Sequence, residues 1–311
     1  MCVYSEAQVE AYLQRIKYPT TSDPYEDFYR KLQTDPLATI SELQRRHLCT
    51  IPWGNSGLHY SHHRTISLHP ETLFEKIVER KLDGYCMEST GLFLHVLTSL
   101  GLFVYPTGGR VSRAVALGSN DSRYLPFNHM LLIVVIEGKK YLVDVGFGNN
   151  CAVAPLLLRE GETAPHIGND SEMRLIKDTL DEFVNKAQKV WIYQTRYNPT
   201  SDWVPNFCFS DVEFLPQDFE MMNVNVSTSR TSWFTQAVVC VLMIMDQSEE
   251  NIIGQYVMLG KELKKRVHGE SKILQVLQNE DDRVKALAKY FGISLRQNEI
   301  QGIQGLSSEL K

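Results

Sequence analysis

The chain has 311 residues, a net charge of −5, 43% hydrophobic and 22% charged residues; it is too long for one compact core, so two or three domains are expected. With a pI near 6.0 it offers no basic face to nucleic acid or to an anionic membrane, and neither partner is expected. The first residues lack a leader pattern, no apolar run approaches the ~20 residues that span a bilayer, and the cysteines at 2, 49, 86, 151, 208 and 240 form no Cys-x-x-Cys pair, which points to a reduced, cytoplasmic protein without a metal site.

In chain order, the first hundred residues read as helical. Glu6 to Ile16 sets Val9, Tyr12, Leu13 and Ile16 on one stripe, and Asp35-Pro36 or Thr39 opens a helix through Ile40, Leu43 and Leu48 toward Pro52. Thr72 to Arg80 predicts a short helix; Met87 to Leu100, apolar nearly all round and stopped by Gly101, predicts a buried one. From Leu102 the pattern becomes that of strands: Phe103 to Tyr105, Met130 to Ile136, Lys140 to Val145 and Lys189 to Arg196, with Glu137-Gly138 as a hairpin turn. Asp202 to Asn225, rich in Pro, Phe and Asp, reads as an irregular link. Strands at Ser232 to Met245 and Asn251 to Leu259 precede a terminal amphipathic helix from Ile273 to Phe291. The expected class is α+β in three parts: a helical domain over 1–101, a β domain over 102–215 and a smaller α/β domain over 216–311.

One constellation carries chemistry. Cys86 stands at the start of a helix, where unpaired N–H groups and the dipole favour an anion and hence the thiolate. His129 sits where a strand begins, and Asp144 is the one acid in the apolar partner strand. If Glu137 and Gly138 make a two-residue turn, Ile136 pairs with Lys139, His129 lies opposite Gly146, and His129 and Asp144 become diagonal neighbours on one face. An isolated Asp in a buried strand needs a partner. Asp144 orienting His129, and His129 taking the proton of Cys86, make a coherent acyl-transfer triad in the chain order Cys, His, Asp.

These segments resemble the arylamine N-acetyltransferases: Gly84-Tyr85-Cys86-x-Glu88, then Asn128-His129-Met130-Leu131-Leu132, then Tyr141-Leu142-Val143-Asp144-Val145-Gly146-Phe147-Gly148. Tyr12-Leu13-x-Arg15-Ile16, His47-Leu48-x-x-Ile51-Pro52-x-x-Asn55, Asp218-Phe219-Glu220-x-x-Asn223 and Ser227-Thr228-Ser229 extend the likeness from about residue 10 to 290. The resemblance implies a cysteine-protease-like architecture of helical bundle, β-barrel and α/β lid, a Cys86–His129–Asp144 triad, and no permanently bound cofactor. It implies ping-pong transfer from acetyl-CoA, or another donor such as malonyl-CoA, through a Cys86 thioester to an arylamine, arylhydrazine or arylhydroxylamine, in a monomer or weak homo-oligomer. This chain departs from the family pattern where Arg-Gly-Gly becomes Leu82-Asp83-Gly84, Phe-Glu-Asn becomes Trp53-Gly54-Asn55, an Asn becomes Thr90, and a Pro becomes Arg230. Two readings compete with catalysis by this route: a family member that binds coenzyme A or arylamines without turnover, and a papain- or transglutaminase-like enzyme.

Other residues are weaker candidates. Thr107-Gly108-Gly109-Arg110 offers a turn whose N–H groups and arginine suit a phosphate of the donor. Phe127 and Asn128, beside His129, are expected to line the acceptor pocket, and Arg110 or Arg230 would meet the extra carboxylate of a malonyl donor. Phe147 and Phe219 read as core or pocket wall. His62, His63 and His69 read as solvated surface, as does the run Lys261 to Arg266, for which a contact to the 3′-phosphate of coenzyme A is the lesser alternative.

Overall fold

The computed structural model describes residues 4–19, 24–118, 121–168 and 170–311; Cys2 lies outside them. The chain begins with α1 (Glu6–Arg15), α2 (Pro24–Thr34), α3 (Pro36–Thr50), a short strand β1 (Trp53–Gly54), α4 (Ser56–His59), α5 (Pro70–Phe74, continued by a π-helical turn Glu75–Glu79) and α6 (Cys86–Ser99). Next come β2 (Phe103–Ser112), α7 (Arg113–Leu117), β3 (Tyr124–Ile136), β4 (Lys139–Val143), β5 (Leu156–Leu157), β6 (Thr163–Pro165), β7 (Glu172–Asp178), β8 (Val190–Arg196) and β9 (Val204–Phe209). The last third holds α8 (Pro216–Thr228), β10 (Val239–Met245), β11 (Ile252–Leu259), β12 (Glu262–Val267), β13 (Glu270–Val276), α9 (Glu280–Phe291) and α10 (Gln297–Gln301).

Local chemistry explains the helix starts. Ser5 and Gln8 close a reciprocal capping box on α1, and the Asp35 carboxylate accepts from Ala38 N at 3.0 Å with Pro36 in the first turn of α3, so Asp35 rather than Thr39 opens that helix. α6 is apolar all round because Leu92, Phe93, Val96 and Leu97 all reach full burial, and it stops before Gly101 at φ +75°.

Strands β5-β4-β3-β2-β9-β8-β7-β6 form an eight-stranded antiparallel sheet, and β1-β10-β11-β12-β13 form a second sheet of five. The edge strand β1 comes from the N-terminal third, so the helical region and the C-terminal sheet are stitched together. β3 has two distinct faces. Met130, Leu132 and Val134 join the core built by the N-terminal helices and α8, whereas Leu131 and Ile133 join Tyr193, Phe207 and Phe209 inside the larger sheet. Between β3 and β4, Glu137 and Gly138 both take positive φ, and Ile136 pairs with Lys139 as expected for a two-residue hairpin.

Several expectations need correction. Thr107-Gly108-Gly109-Arg110 is no turn: β2 runs on through it, paired with β3 and, from Gly109, with β9. A side chain at Gly108 would overlap the Phe214 ring, and one at Gly109 would crowd Leu131, so these glycines admit close neighbours within a sheet rather than a reversal. Asp202 to Asn225 is ordered as β9 and α8. In β9 Asn206 is as buried as Phe207 and Phe209, which erases the alternation that marks a half-exposed strand. Ile273 to Phe291 splits into the end of β13 and α9, which Asn279 caps by accepting from Asp282 N at 3.0 Å. The basic run from Lys261 falls on β12, where Leu263 alone is fully buried.

Candidate active site

Cys86 is the first residue of α6 and is 5% exposed. Glu88 secures that helix start: its Oε2 accepts from Tyr85 N at 3.2 Å, and its Oε1 lies 2.5 Å from Lys76 Nζ. Burial raises the Glu88 carboxyl pKa, and Lys76 opposes that rise by favouring the charged form. The Tyr85 hydroxyl is hydrogen-bonded to Asn223 of α8, so the residue before Cys86 is tied both to its own helix and to the C-terminal third.

The hairpin delivers the other two groups. The β3–β4 ladder closes at Leu132–Val143; beyond it Asp144 leaves the strand and its Oδ1 accepts from Gly146 N at 2.7 Å. Its Oδ2 lies 2.7 Å from His129 Nε2. The carboxylate acceptor fixes a proton on Nε2, which leaves Nδ1 as the ring's other nitrogen, and Cys86 is near enough to help raise the His129 pKa. Cys86 Sγ lies 3.6 Å from Asn128 O. Gly146 completes the junction: a Cβ there would fall 2.7 Å from Cys86 Cα and 2.8 Å from Cys86 O, so only glycine lets the Asp144 segment meet the start of α6.

His129 and Asp144 are 2% and 0% exposed, in surroundings that strengthen their pairing. Burial alone would lower the His129 pKa, but the Asp144 carboxylate and the Cys86 sulfur outweigh it and raise the value to about 10. The pairing with Asp144 therefore favours the protonated ring. Phe147 and Phe207, with ring centroids 5.1 and 5.0 Å away, flank it. The other described cysteines contrast with this setting: burial pushes Cys49 and Cys208 up to about 12, and Cys151 and Cys240 well above the usual thiol range, which suits inert core residues.

The remaining candidates divide. Asn128 accepts from Val111 N at 3.2 Å through its side chain, while its carbonyl faces Cys86. Phe127 is half-buried, with the Arg110 guanidinium 4.0 Å over its ring and Phe214 edge-on at 5.2 Å. Thr107 is fully buried and donates to Ser210 O at 2.8 Å, away from any open surface. Phe219 belongs to the core, and Arg230 is exposed. His62, His63 and His69 are exposed, and no group of three metal-ligating side chains occurs among the described residues.

Sequence reasoning missed three supports. Gln44 Nε2 donates to Asp144 O at 3.0 Å and to Ala152 O at 2.7 Å; its signal was a polar residue on the buried face shared by Ile40, Leu43 and His47. Lys76 carried no local signal, because its partner lies on another helix. Asn223 stood in a family-like segment without an assigned role.

The departures from the family pattern prove linked in space. Asp83 is fully buried, and its carboxylate accepts from both Ser56 N, at 3.0 Å, and the Ser56 hydroxyl. A Cβ on Gly54 would collide with Asp83 Oδ2. The Asp83 carboxylate thus fills the space beside Gly54, and the charge opposite Glu88 comes from Lys76. Trp53 packs over Gly148 and edge-on to Phe234, whose ring also faces Tyr85.

Comparison with known proteins agrees with this geometry. The family model described as N-acetyltransferase matches residues 36–300. The N-malonyltransferase FDB2 of Fusarium pseudograminearum is 34% identical over 96% of this chain and 92% of its own length, and the mouse arylamine N-acetyltransferase 2 is 26% identical over 92% and 94%. The arylamine N-acetyltransferase of Salmonella typhimurium shares the fold with a TM-score of 0.76 at 22% identity, covering 96% of this chain and 98% of that one. The Mycobacterium marinum enzyme in complex with CoA gives 0.75 at 25% identity, covering 96% and 99%. The helical region, the eight-stranded sheet and the smaller five-stranded sheet are thus the three-part architecture of these enzymes, and the chain belongs to the arylamine N-acetyltransferase family of acyltransferases.

Proposed function

We propose that this protein accepts an acyl group from an acyl-CoA donor on Cys86 and passes it to the nitrogen of an arylamine, with malonyl-CoA as the preferred donor. One observation carries the reading: a sulfur at a helix N-terminus, against the carbonyl of Asn128, next to a histidine that a buried carboxylate holds in place. The relatives named N-malonyltransferase, at 34% and 33% identity against 26% for the mouse arylamine enzyme, support the choice of donor.

The chemistry follows from the charges. The Cys86 thiolate attacks the thioester carbon of the donor, and the tetrahedral intermediate collapses by breaking the bond to the coenzyme A sulfur. His129 gives that leaving thiolate its proton, so free coenzyme A departs and the ring becomes neutral. An arylamine, unprotonated at neutral pH, then attacks the acyl-cysteine; His129 takes the proton from the amine nitrogen as the Cys86 thiolate is expelled. The thiolate–imidazolium pair is restored. Asp144 keeps the ring in the required tautomer and orientation throughout.

Intact-protein mass spectrometry after mixing with malonyl-CoA and acetyl-CoA separately tests this. The expected result is one acyl group per chain, absent in Cys86→Ala and removed by an added arylamine, with faster loading from malonyl-CoA. Failure of both donors to load Cys86, or loading instead by a peptide ester, would overturn the reading. Faster loading by acetyl-CoA would overturn the donor choice alone.

A further inference from the structure

Resting on that acyl-CoA reading, we propose that Arg110 is the receptor for an oxyanion of the donor, supplied either by the carboxylate of a malonyl group or by the phosphates of coenzyme A. Among the described residues, Arg110 is the one arginine short of full exposure whose guanidinium has no oxygen partner. Its peers are all engaged: Arg15 on the carbonyls of Ile77 and Thr50, Arg46 on Glu42 and Glu249, Arg80 on Glu299, Arg174 on Gln194, and Arg266 on Asn149.

Arg110 is held without being satisfied. Its guanidinium lies 4.0 Å over the Phe127 ring, Phe127 meets Phe214 edge-on, and Phe214 lies against the bare backbone of Gly108. The contact with the ring holds the cation but uses none of its N–H groups, which can offer a fork suited to two oxygens of one anion. Donors that have lost part of their water and gained no acceptor cost free energy, and an arriving oxyanion removes that cost.

The position also suits the donor. Arg110 follows Gly109, which pairs with His129, and its platform Phe127 precedes Asn128, whose carbonyl touches the Cys86 sulfur. The Gly-Gly-Arg segment then acts through its side chain, while its glycine backbone is spent in the sheet and under Phe214.

The test compares Arg110→Gln and Arg110→Lys with the unaltered chain, reading the rate of Cys86 loading from malonyl-CoA and acetyl-CoA, and calorimetric binding of coenzyme A to Cys86→Ala with and without Arg110→Gln. A charge-assisted pair predicts a loss on the order of tenfold to a hundredfold in Arg110→Gln, part of it retained in Arg110→Lys. A carboxylate source confines that loss to malonyl-CoA and leaves coenzyme A binding intact; a phosphate source lowers both donors and coenzyme A affinity together. Undiminished loading by both donors with unchanged coenzyme A binding overturns the proposal. So does Arg110→Lys, which keeps the charge and the stem over Phe127, losing as much as Arg110→Gln. An unaltered chain that neither donor loads defeats the acyl-CoA reading instead, before any variant is compared.

Discussion

The hairpin that carries His129 and Asp144 and the segment that leads into Cys86 reach the same site by different routes. In the hairpin, chemistry follows from spacing up to a point: a two-residue turn sets the register as far as Leu132–Val143, and just beyond it Asp144, held by Gly146 and Gln44, lies 2.7 Å from His129. Leading into Cys86, no spacing rule holds. Leu82, Asp83 and Gly54 each depart from the family pattern, yet Asp83 fills the space beside Gly54 and Lys76 supplies the cation for Glu88. Local pairing is cheap to encode and intolerant of change, whereas contacts between segments distant in sequence leave room for exchange, provided that a partner moves with each residue.

The sharpest test of the first half of this contrast is Asp144→Asn. An amide in that place holds the ring by a weaker bond and favours the wrong tautomer, so Cys86 loading should fall on the order of a thousandfold to ten-thousandfold. The pH profile gives the sign independently. Burial lowers the His129 pKa, and the Asp144 carboxylate and the Cys86 sulfur raise it to about 10, so the alkaline limb of loading should lie near there; without the carboxylate the limb should move to lower pH. A variant with an unmoved limb would show that Asp144 does not set the charge of the ring.

What was readable in advance follows the same division. Cys86, His129 and Asp144, α1, α3 and α6, and the hairpin turn all announce themselves through periodicity, caps or turn residues. β9 did not, because Asn206 sits buried between Phe207 and residues paired across β8. The strand through Gly108 and Gly109 read as a turn because glycine serves both purposes, and only the Phe214 ring against Gly108 decides between them. The Lys76–Glu88 pair was illegible for another reason: ion pairing between separate elements leaves no periodic trace.

Lys76→Met probes the second half. Glu88 would be left 1% exposed with its helix-cap bond but without a cation, at a cost of about 3 kcal/mol in folding stability. The sign of the pH dependence is fixed by the direction of the Glu88 shift, which is raised above 4.5. A raised carboxyl favours the folded state at low pH and opposes it once the unfolded chain has ionised, so stability from this group falls as pH rises through and above about 4.5. Removing Lys76 raises the folded pKa further. The deficit of Lys76→Met, measured by urea denaturation, should therefore be small at pH 4, grow toward neutrality, and be largely relieved in Lys76→Met/Glu88→Gln. A deficit independent of pH would assign Lys76 a packing role only.

The contact between positions 54 and 83 predicts a double-mutant coupling. Gly54→Glu should destabilise the chain by about 3 kcal/mol, since its Cβ overlaps Asp83 Oδ2 and crowds Val239 O. Asp83→Gly alone leaves Ser56 N and the Ser56 hydroxyl without their acceptor and should cost about 2 kcal/mol. Combined, the two should cost less than their sum by 1 kcal/mol or more, on the order expected of residues in contact. Strict additivity in thermal or urea denaturation would mean that the two departures are independent.

The smallest effect belongs to the turn of the hairpin. Gly138 holds φ +74° with nothing near the position a Cβ would take, so Gly138→Ala meets no neighbour and bears only the left-handed strain of a side chain there, about 1 kcal/mol. Register is also held by the five pairs from Leu132–Val143 to Ile136–Lys139, and Asp144 is separately secured by Gly146 and Gln44. The expected outcome is a lower unfolding midpoint with an unchanged rate of Cys86 loading. If loading falls as well, the turn does more than join the strands: it sets the His129–Asp144 contact directly, and the hairpin would depend on one residue where the ladder otherwise spreads that task over five pairs.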